Sequence, residues 1–390
     1  ATAKNRIGGI CIEGGLILSL AKRIVLIFSN TNYPPFTFVT IFLFHSKRRY
    51  LHPKDMMGSM TEIVGQQSAI KTVKDALNHG RSHHAWIFQG PAGVGKYTTA
   101  TEFARYLISD TKPRDTFGVA NNVFIHNDLH VIRKEDAAWS KNASLARRKQ
   151  TNIPVDLLRE RMIGGRTSDD KGHDAIAFKT SVCGGSKVFI IDEAELLDET
   201  AQNALLKTLE EPPVGTFIIL VTSRDDLLLP TIKSRCQPVN FSLLSHEEMN
   251  QWLSRNTFGV SSNDLQWSVD FSSGSPGDVS IAIESNLPDL ARSLRGFIRG
   301  VGGSKTFPSA ATVMIEYAES FVKLQIDKNS LCSKEAANRQ AFSVILQLLG
   351  VEVRRLLGDN KEDSFIAIRA AAILTDIESQ VRTNISIKVL

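Results

Sequence analysis

Residues 85–108 read AWIFQGPAGVGKYTTATEFARYLI, in which an apolar run, a glycine-rich loop and a helical pattern follow one another. The run Ala85–Gln89 predicts a short buried strand, and the helical spacing begins at about Lys96. The glycines let the loop backbone turn its amides inward around phosphate oxygens; they are Gly90, Gly93 and Gly95. This succession predicts an α/β fold with a phosphate-binding loop.

The end of the loop departs from the usual motif at one position. Lys96 would neutralise the β and γ oxygens of a nucleotide, and the residue after it ordinarily carries a hydroxyl that ligates magnesium. This chain has Tyr97 there, with Thr98 one place later. Three interpretations stay open: the loop only turns the chain, it binds ATP or ADP with little turnover, or it belongs to an active ATPase. The tyrosine favours the second.

A second apolar run, Lys187–Ile191, leads into the carboxylates Asp192 and Glu193. At the end of a strand, the aspartate would hold magnesium through water and the glutamate would orient the attacking water. The alternative is a pair of solvated acids that closes a strand. A helix is predicted over Thr200–Glu211 and a third strand over Thr216–Val221. Apolar strands that alternate with helices predict a parallel sheet covered on both faces.

The segments around this unit are less regular. A helix is predicted over Gln67–Asn78, and a strand-like run lies at Val123–Ile125. The polar stretch Gly164–Gly172 is typical of a loop between a strand and a helix. After Phe241 the strand patterns end and helical periodicity continues to the last residues.

These patterns predict a division into domains. A nucleotide-binding domain covers residues 57–241, a small helical lid covers 242–287, and an all-helical domain for assembly covers 288–390. Ser245 and Glu248 predict a capping box at the start of the lid.

Residues 1–56 differ in composition from the rest and contain apolar runs. Lys22 and Arg23 interrupt these runs, and Pro34 helps to separate them, so neither reaches the roughly 18 apolar residues of a membrane span. Three alternatives stay open: upstream sequence translated from a misplaced start, a native extension, or a membrane contact. The first is favoured, and no membrane association is expected.

The composition narrows the classes of function only slightly. The chain has 46 Lys+Arg against 41 Asp+Glu, and the net charge of +5 is too small to predict nucleic-acid binding. Although His126, Asp128 and His130 could suggest a metal site, a structural role is expected. The cysteines lie far apart without a CxxC pair, so we expect free thiols, no zinc site and a cytoplasmic protein; they are Cys11, Cys183, Cys236 and Cys332.

Three further stretches carry a family resemblance. The run Asn203–Pro213 reads NALLKTLEEPP, Ser234-Arg235-Cys236 follows, and Ile63-Val64-Gly65-Gln66 precedes the loop. Together with the carboxylate pair, these residues resemble the AAA+ clamp-loader family of bacterial DNA polymerase III. The resemblance covers about residues 61–285 well and the remainder loosely.

The resemblance implies roles for several residues. Arg235 would be an arginine finger that acts in trans on a neighbouring subunit's γ-phosphate, although an ordinary salt bridge at a helix end is the alternative. Val64 would lie on the adenine side of the nucleotide. Thr222 and Ser223 occupy the place of a polar sensor, with a strand-end cap as the alternative.

Within the family, the chain most resembles the delta-prime type of subunit. Motor subunits of the gamma/tau type have a hydroxyl after the loop lysine, a four-cysteine zinc module and a lid arginine, and this chain lacks all three. The implied partners are gamma/tau and delta subunits, the sliding clamp and primer-template DNA. The alternatives are an active gamma/tau-like ATPase and an adaptor with a vestigial nucleotide site.

Overall fold

The computed structural model describes residues 61–78, 83–108, 119–120, 126–147, 150–182, 185–299, 307–356 and 361–382. Within these ranges the chain forms two compact units. The first runs to Ile283 and includes Asn329–Ala336, and the second contains the described residues of Glu284–Lys328 and Ala337–Leu390. The predictions for residues 1–56, for Val123–Ile125, and for the thiols of Cys11 and Cys183 lie outside the described residues.

The strands all belong to the first unit. They are β1 (Thr61–Glu62), β2 (Ala85–Gln89), β3 (Val119–Ala120), β4 (Leu129–Ile132), β5 (Gly165–Arg166), β6 (Gly172–His173), β7 (Lys187–Ile191), β8 (Thr216–Thr222) and β9 (Gln237–Asn240).

The α-helices alternate with these strands at first and then follow one another. They are α1 (Gln67–Asn78), α2 (Lys96–Ile108), α3 (Ala143–Ala146), α4 (Val155–Leu158), α5 (Glu199–Glu210), α6 (Pro230–Lys233), α7 (His246–Ser254), α8 (Ser262–Ser272), α9 (Pro276–Glu284), α10 (Leu287–Arg299), α11 (Phe307–Lys328), α12 (Lys334–Leu356) and α13 (Lys361–Arg382).

A five-stranded sheet in the order β4-β7-β8-β2-β9 forms the centre of the first unit, and all its neighbouring strands are parallel. This confirms the predicted α/β class with a parallel sheet. Strand β9 was not foreseen, because Pro238 lies inside it and its other residues are mostly polar. The strand lies at an edge of the sheet, where a residue without an N–H is tolerated.

Burial on both faces explains why the strand sequences are continuously apolar. In β7, Phe189 and Ile191 join the core cluster on one face of the sheet, whereas Val188 and Ile190 join the cluster on the other. All four side chains are fully buried. Because successive side chains of a strand point to opposite faces, a sheet with two covered faces needs apolar residues at every position.

The helix after β7 begins one residue earlier than its sequence pattern indicates. Asp198 is the N-cap of α5, and its carboxylate accepts a hydrogen bond from the Ala201 N–H at 2.7 Å. The helix ends before the two prolines that follow Glu211. Helix α1, strand β2 and helix α2 have the bounds that the sequence predicts.

The stretch Gly164–Gly172 is not a loop between a strand and a helix. It follows a π-helical turn, Arg159–Ile163, and contains most of a small antiparallel hairpin of β5 and β6. Gly164 ends the helical turn with φ 71°. Polar side chains then stabilise the hairpin turn; for example, Thr167 Oγ1 donates to Asp169 Oδ1 at 2.6 Å. The polar composition therefore predicted a turn correctly, but the elements beside the turn are two hairpin strands and not a strand and a helix.

Helices α7–α9 form the predicted helical lid segment. The capping box is present: Ser245 Oγ accepts from the Glu248 N–H at 3.2 Å, and the Glu248 carboxylate accepts from the Ser245 N–H at 2.8 Å. Val64 packs with lid residues in a small apolar cluster that includes Met249 and Val279. Within the described ranges, no strand follows β9.

The second unit is built from helices, which confirms the predicted helical C-terminal region. Its cores are apolar faces of α10, α11 and α12, with fully buried Phe321, Ala341 and Leu348 among them. A buried carboxylate, Glu352, accepts two hydrogen bonds from Arg295, each at 2.8 Å. None of the helices in the described part of the chain is long and apolar enough to cross a membrane.

Candidate phosphate-binding site

The candidate site lies at the carboxyl ends of the strands of the central sheet. Because the five strands are parallel, their carboxyl ends meet at the same edge. The glycine-rich loop follows β2, Arg133 follows β4, Asp192 follows β7 and Ser223 follows β8. The fold thus brings together residues that are more than a hundred positions apart in sequence.

The glycines of the loop adopt backbone conformations that other residues rarely take. Gly90, Gly93 and Gly95 have φ values of 144°, 73° and 98°. Space is also limiting at two of them. A Cβ on Gly90 would lie 2.2 Å from the Phe241 carbonyl oxygen, and one on Gly93 would lie 2.4 Å from Ser275 Oγ. The shape of the loop therefore requires glycine at these positions.

Lys96 is buried beneath this loop. Its ammonium group donates to the carbonyl oxygens of Gly90, at 2.7 Å, and of Pro91, and to Ser223 Oγ at 3.0 Å. Burial lowers the pKa of Lys96 to about 8, while the nearby carboxylates of Glu195 and Asp192 act in the opposite direction. The predicted loop lysine and sensor serine are thus in direct contact.

The ring of Tyr97, which stands where a serine or threonine is usual, makes two contacts. Its ring packs against the core cluster between α2 and the sheet, and the Arg133 guanidinium lies 4.4 Å from the ring centre. This separation is typical of a cation–π contact. Thr98 is exposed on the first turn of α2.

Both carboxylates after β7 are paired with cations of the same chain. Asp192 Oδ2 lies 3.3 Å from Arg133 Nε, and the Glu193 carboxylate accepts from Lys134 Nζ at 2.7 and 2.5 Å. Burial raises the pKa of Asp192, and Arg133 opposes this shift. Glu193 has φ 52°, in the left-handed region.

Tyr97 and Asp192, which stand where a magnesium ion ordinarily finds its protein ligands, do not fit one in this arrangement. A magnesium ion at such a site needs oxygen ligands with free lone pairs, usually a hydroxyl after the loop lysine and the strand-end aspartate. Here Tyr97 packs against the core, and Asp192 and Glu193 already accept from Arg133 and Lys134.

Glu195 is a third carboxylate of the site, and sequence reasoning gave it no role. Its Oε1 accepts from the Ser223 N–H at 3.2 Å, while its buried Oε2 has no hydrogen-bond partner within the described structure. The only signal in the sequence was a further acid two positions after Glu193. Arg133 and Lys134 were missed as well, since nothing in their own segment marks them.

The entry segment before α1 links the loop to the lid. The side chain of Gln66 donates to the Ser242 carbonyl oxygen at 2.7 Å and accepts from the Ser242 N–H at 3.1 Å. Val64, predicted to lie on the adenine side, is buried in the lid cluster. Gln66 was predicted only as a member of the entry segment Ile63–Gln66, and the two hydrogen bonds of its buried side-chain amide are seen only in the structure.

The lid also contacts the phosphate loop directly. Ser275 Oγ donates to the Ala92 carbonyl oxygen at 3.0 Å, and the Gly277 N–H donates to the Gly93 carbonyl oxygen at 2.9 Å. These bonds join the start of α9 to the outer side of the loop. A shift of either partner therefore has to break the same two hydrogen bonds.

Thr222 and Ser223 have different environments. The Thr222 side chain is buried and accepts from the Arg224 N–H at 3.0 Å, which is the behaviour of a strand-end cap. Ser223 instead contacts Lys96 and Glu195. The geometry therefore brings only Ser223 to the loop.

Arg235 lies at the amino ends of the strands, on the opposite side of the sheet from the loop. It precedes β9, whose Gln237 is paired with Trp86 near the amino end of β2. Its side chain is one-third exposed. The guanidinium lies 2.6 Å from Glu210 at the end of α5 and donates to the Thr231 carbonyl oxygen at 2.9 Å. Cys236 is a buried free thiol, and burial raises its pKa to about 12.

The possible metal ligands near β4 are engaged in other contacts. Asp128 is fully buried and accepts from the Val182 N–H at 2.7 Å, and the His130 ring stacks on Phe189. Among the described residues, no group of three or more His, Cys, Asp or Glu side chains is placed to hold a metal ion.

Comparison with known proteins identifies similar sequences. Residues 65–245 match the family described as DNA polymerase III, delta subunit. The chain is 30% identical over 257 residues to DNA polymerase III subunit gamma/tau of Mycobacterium bovis, covering 65% of this chain and 41% of that protein. It is 28% identical over 284 residues to subunit tau of Bacillus subtilis, covering 71% and 45%. The chain thus spans less than half the length of these relatives.

A solved structure gives a weaker similarity. A DNA polymerase III gamma subunit-related protein of Thermotoga maritima aligns with a TM-score of 0.40 and 19% identity, over 82% of this chain and 95% of that one. The family match and the curated relatives show that the chain is similar to DNA polymerase III subunits, and they do not single out the delta-prime type.

Proposed function

We propose that this chain is a clamp-loader subunit that helps to place the sliding clamp on primed DNA. In this role it supplies Arg235 to the ATP site of a neighbouring subunit and hydrolyses little ATP itself. The observation that carries the proposal is the position of Arg235, which lies at the amino edge of the sheet while the phosphate loop lies at the carboxyl edge.

The topology separates Arg235 from its own loop. Strand β9 has four residues and follows Arg235, so its length alone, at about 3.3 Å per residue, separates the two edges by roughly 13 Å. An arginine so placed can serve a phosphate only on another molecule. Its planar guanidinium suits that task because it can bind two phosphate oxygens at once.

The paired carboxylates support a low intrinsic ATPase activity. Glu193 could orient an attacking water only if its carboxylate were free, and Lys134 engages both of its oxygens. Tyr97 replaces the serine or threonine that would ligate a metal and packs against the core, and the lid turn Gly274–Asp278 contains no arginine. Each of these features removes a part that phosphoryl transfer to water ordinarily needs.

The proposed partners follow from the same role. They are gamma/tau and delta subunits, and through the assembly the sliding clamp and primer-template DNA. ATP or ADP would bind between the loop, Val64 and Ser223, and the helical domain 288–390 would hold the assembly together. The division at residues 241 and 287 stays part of this proposal, and the protein would act in the cytoplasm.

The names of the curated relatives favour a second candidate, an active gamma/tau-like ATPase. In that case Lys96, Asp192 and Glu193 would act in phosphoryl transfer to water. The two candidates differ in a simple respect. A motor subunit turns over ATP alone, whereas the proposed subunit affects turnover only within an assembly.

The experiment measures ATP turnover by the purified chain alone and after mixing with motor subunits, delta subunit, clamp and primed DNA. We expect negligible turnover alone. In the assembly, Arg235→Ala should lower turnover at least tenfold, because an arginine finger is worth about 10³ or more at the site it serves. Arg166→Ala is the matched control, since it removes an equally charged, exposed side chain from the β5–β6 hairpin.

Two outcomes would count against the proposal. Robust turnover by the isolated chain that Lys96→Ala abolishes would make the chain a motor. Equal turnover of assemblies containing the wild-type chain, Arg235→Ala and Arg166→Ala would show that Arg235 serves no neighbouring ATP site.

A further inference from the structure

We propose that Arg133 and Lys134 take the place of a divalent cation in this site, so that the site holds the phosphates of a nucleoside diphosphate or triphosphate without magnesium. The inference deepens the proposed function, since it rests on nucleotide binding at the loop after β2. It concerns what the site binds and is independent of any role of Arg235.

The register of two strands places the cations opposite the acids. Strands β4 and β7 are parallel, with Ile132 paired with Ile191. The next residue on each strand gives the pair Arg133 and Asp192, and the one after gives Lys134 and Glu193. Strand pairing thus sets each basic residue opposite one acid, and Glu135 lies 3.9 Å from the Lys134 ammonium as a second acidic neighbour.

Tyr97 explains how Arg133 is held. Its guanidinium lies over the Tyr97 ring at 4.4 Å and reaches Asp192 through Nε at 3.3 Å. Tyr97, the residue that departs from the phosphate-loop motif, therefore supports Arg133. Arg133 in turn binds Asp192, the aspartate that would ordinarily hold magnesium. Serine or threonine at this position would give Arg133 no ring to lie on, so the two departures belong together.

Electrostatics disfavours a divalent ion in this arrangement. Asp192 is already paired with Arg133, so a magnesium ion there would have to displace this ion pair and would then face Arg133 and Lys134 at short range. The third carboxylate, Glu195, keeps one oxygen without a hydrogen-bond partner among the described residues, and its charge acts on Lys96. A phosphate faces the opposite situation. Lys96 lies under the loop, and the Arg133 side chain is still 42% exposed, so positive charge remains accessible to an anion.

The test measures binding of a fluorescent ADP analogue, mant-ADP, to the full chain in excess magnesium and in excess EDTA. We expect the Kd of the wild-type chain to agree within twofold between the two conditions. In Arg133→Ala/Lys134→Ala, the Kd in EDTA should rise at least tenfold and should recover in part when magnesium is added. Asp192→Asn in the same background should abolish that recovery.

Matched controls separate these effects from loss of folding. Arg166→Ala/Lys171→Ala removes the same charge from the exposed β5–β6 hairpin and should leave the Kd unchanged. Paramagnetic resonance of Mn²⁺ with ADP gives a second readout that needs no variant. The wild-type chain should add no bound Mn²⁺ signal to that of Mn²⁺ and ADP alone.

The inference is overturned by a wild-type Kd at least tenfold weaker in EDTA, by stoichiometric Mn²⁺ on the wild-type chain, or by a double variant that binds like wild type in EDTA. Absence of mant-ADP binding in both conditions would overturn it too. That last result would leave the clamp-loader proposal standing if Arg235→Ala still lowered the assembly's turnover.

Discussion

At the scale of single residues, the buried ammonium of Lys96 makes nucleotide affinity depend on pH. Its pKa is lowered to about 8 in the free protein, and a bound phosphate would favour the charged form. Above pH 8, binding must therefore take up a proton. We expect the Kd for mant-ADP to be nearly constant from pH 6.5 to 7.5 and to rise by up to about tenfold per unit above pH 8.

The control for this prediction is Lys96→Arg, because arginine keeps its charge throughout this range. Its affinity can be lower than that of wild type, but its pH profile should be flat between pH 7 and 9.5. A wild-type profile as flat as that of the variant would show that Lys96 does not lose its proton in the free protein near pH 8.

At the scale of structural elements, the contact between the lid and the phosphate loop can be tested at Gly93. A methyl group there would approach Ser275 Oγ to 2.4 Å and the Gly277 Cα to 3.0 Å, while φ is 73°. Gly93→Ala should therefore cost about 2–4 kcal/mol, from backbone strain together with overpacking. It should also break the Gly277 N–H bond to the loop.

Gly95→Ala is the matched control for this contact. Its φ is 98°, but an added Cβ would meet nothing within 4 Å. The strain is then present without the clash, and the cost should be smaller by about 1 kcal/mol or more. Thermal unfolding and proteolysis of the lid measure both variants. Equal losses of stability would show that the lid moves away from the added methyl group at no cost.

The helices of the second unit contain a buried carboxylate whose removal should be costly. Glu352 is 4% exposed and accepts from Arg295 twice at 2.8 Å and from Arg355 at 3.1 Å. Glu352→Ala should cost about 1–3 kcal/mol in urea unfolding, with the lower part of the range reflecting the partial exposure of Arg295. Glu319→Ala, an exposed position on α11, should change stability by less than about 0.5 kcal/mol.

Local pattern predicted the elements whose signals are local. The bounds of α1, β2 and α2 follow from apolar spacing, and the capping box of Ser245 follows from two residues three positions apart. Strand β9 could not be predicted in this way, because edge strands need few apolar residues and the pairing with β2 joins positions about 150 residues apart.

The same distinction applies to the candidate site. The loop, Asp192 and Glu193 could be predicted because each follows a recognisable strand within a few residues. Arg133 and Lys134 could not, because their meaning depends on the register between β4 and β7, whose residues are 59 positions apart in sequence. A pair of basic residues after a short strand has no distinguishing pattern until its partner strand is known.

At the scale of the whole molecule, Arg235 is restrained by its own chain before any neighbour arrives. The ion pair with Glu210 measures 2.6 Å, and both side chains are partly exposed. A pair of this kind is worth about 0–1 kcal/mol. Glu210→Gln should therefore lower the concentration of chain that half-saturates the assembly's ATP turnover, by up to about fivefold.

Asp174→Asn is the control for this effect, because it breaks an exposed ion pair with Lys179 far along the chain from Arg235. It should leave half-saturation unchanged. If Glu210→Gln instead raises the half-saturating concentration, Glu210 positions Arg235 for its neighbour rather than holding it back.

Labelling of Cys236 can measure local opening of the structure at the start of β9. Its thiol is buried directly before β9, whereas Cys332 is only partly buried. A disulfide reagent reacts with a thiolate that solvent can reach, so Cys236 is labelled only during moments when its surroundings open. Peptide mass analysis after timed labelling, with Cys332 as the internal reference, would then give the free energy of that opening. The residue beside the proposed finger thus reports, without an added probe, how firmly the finger's base is anchored.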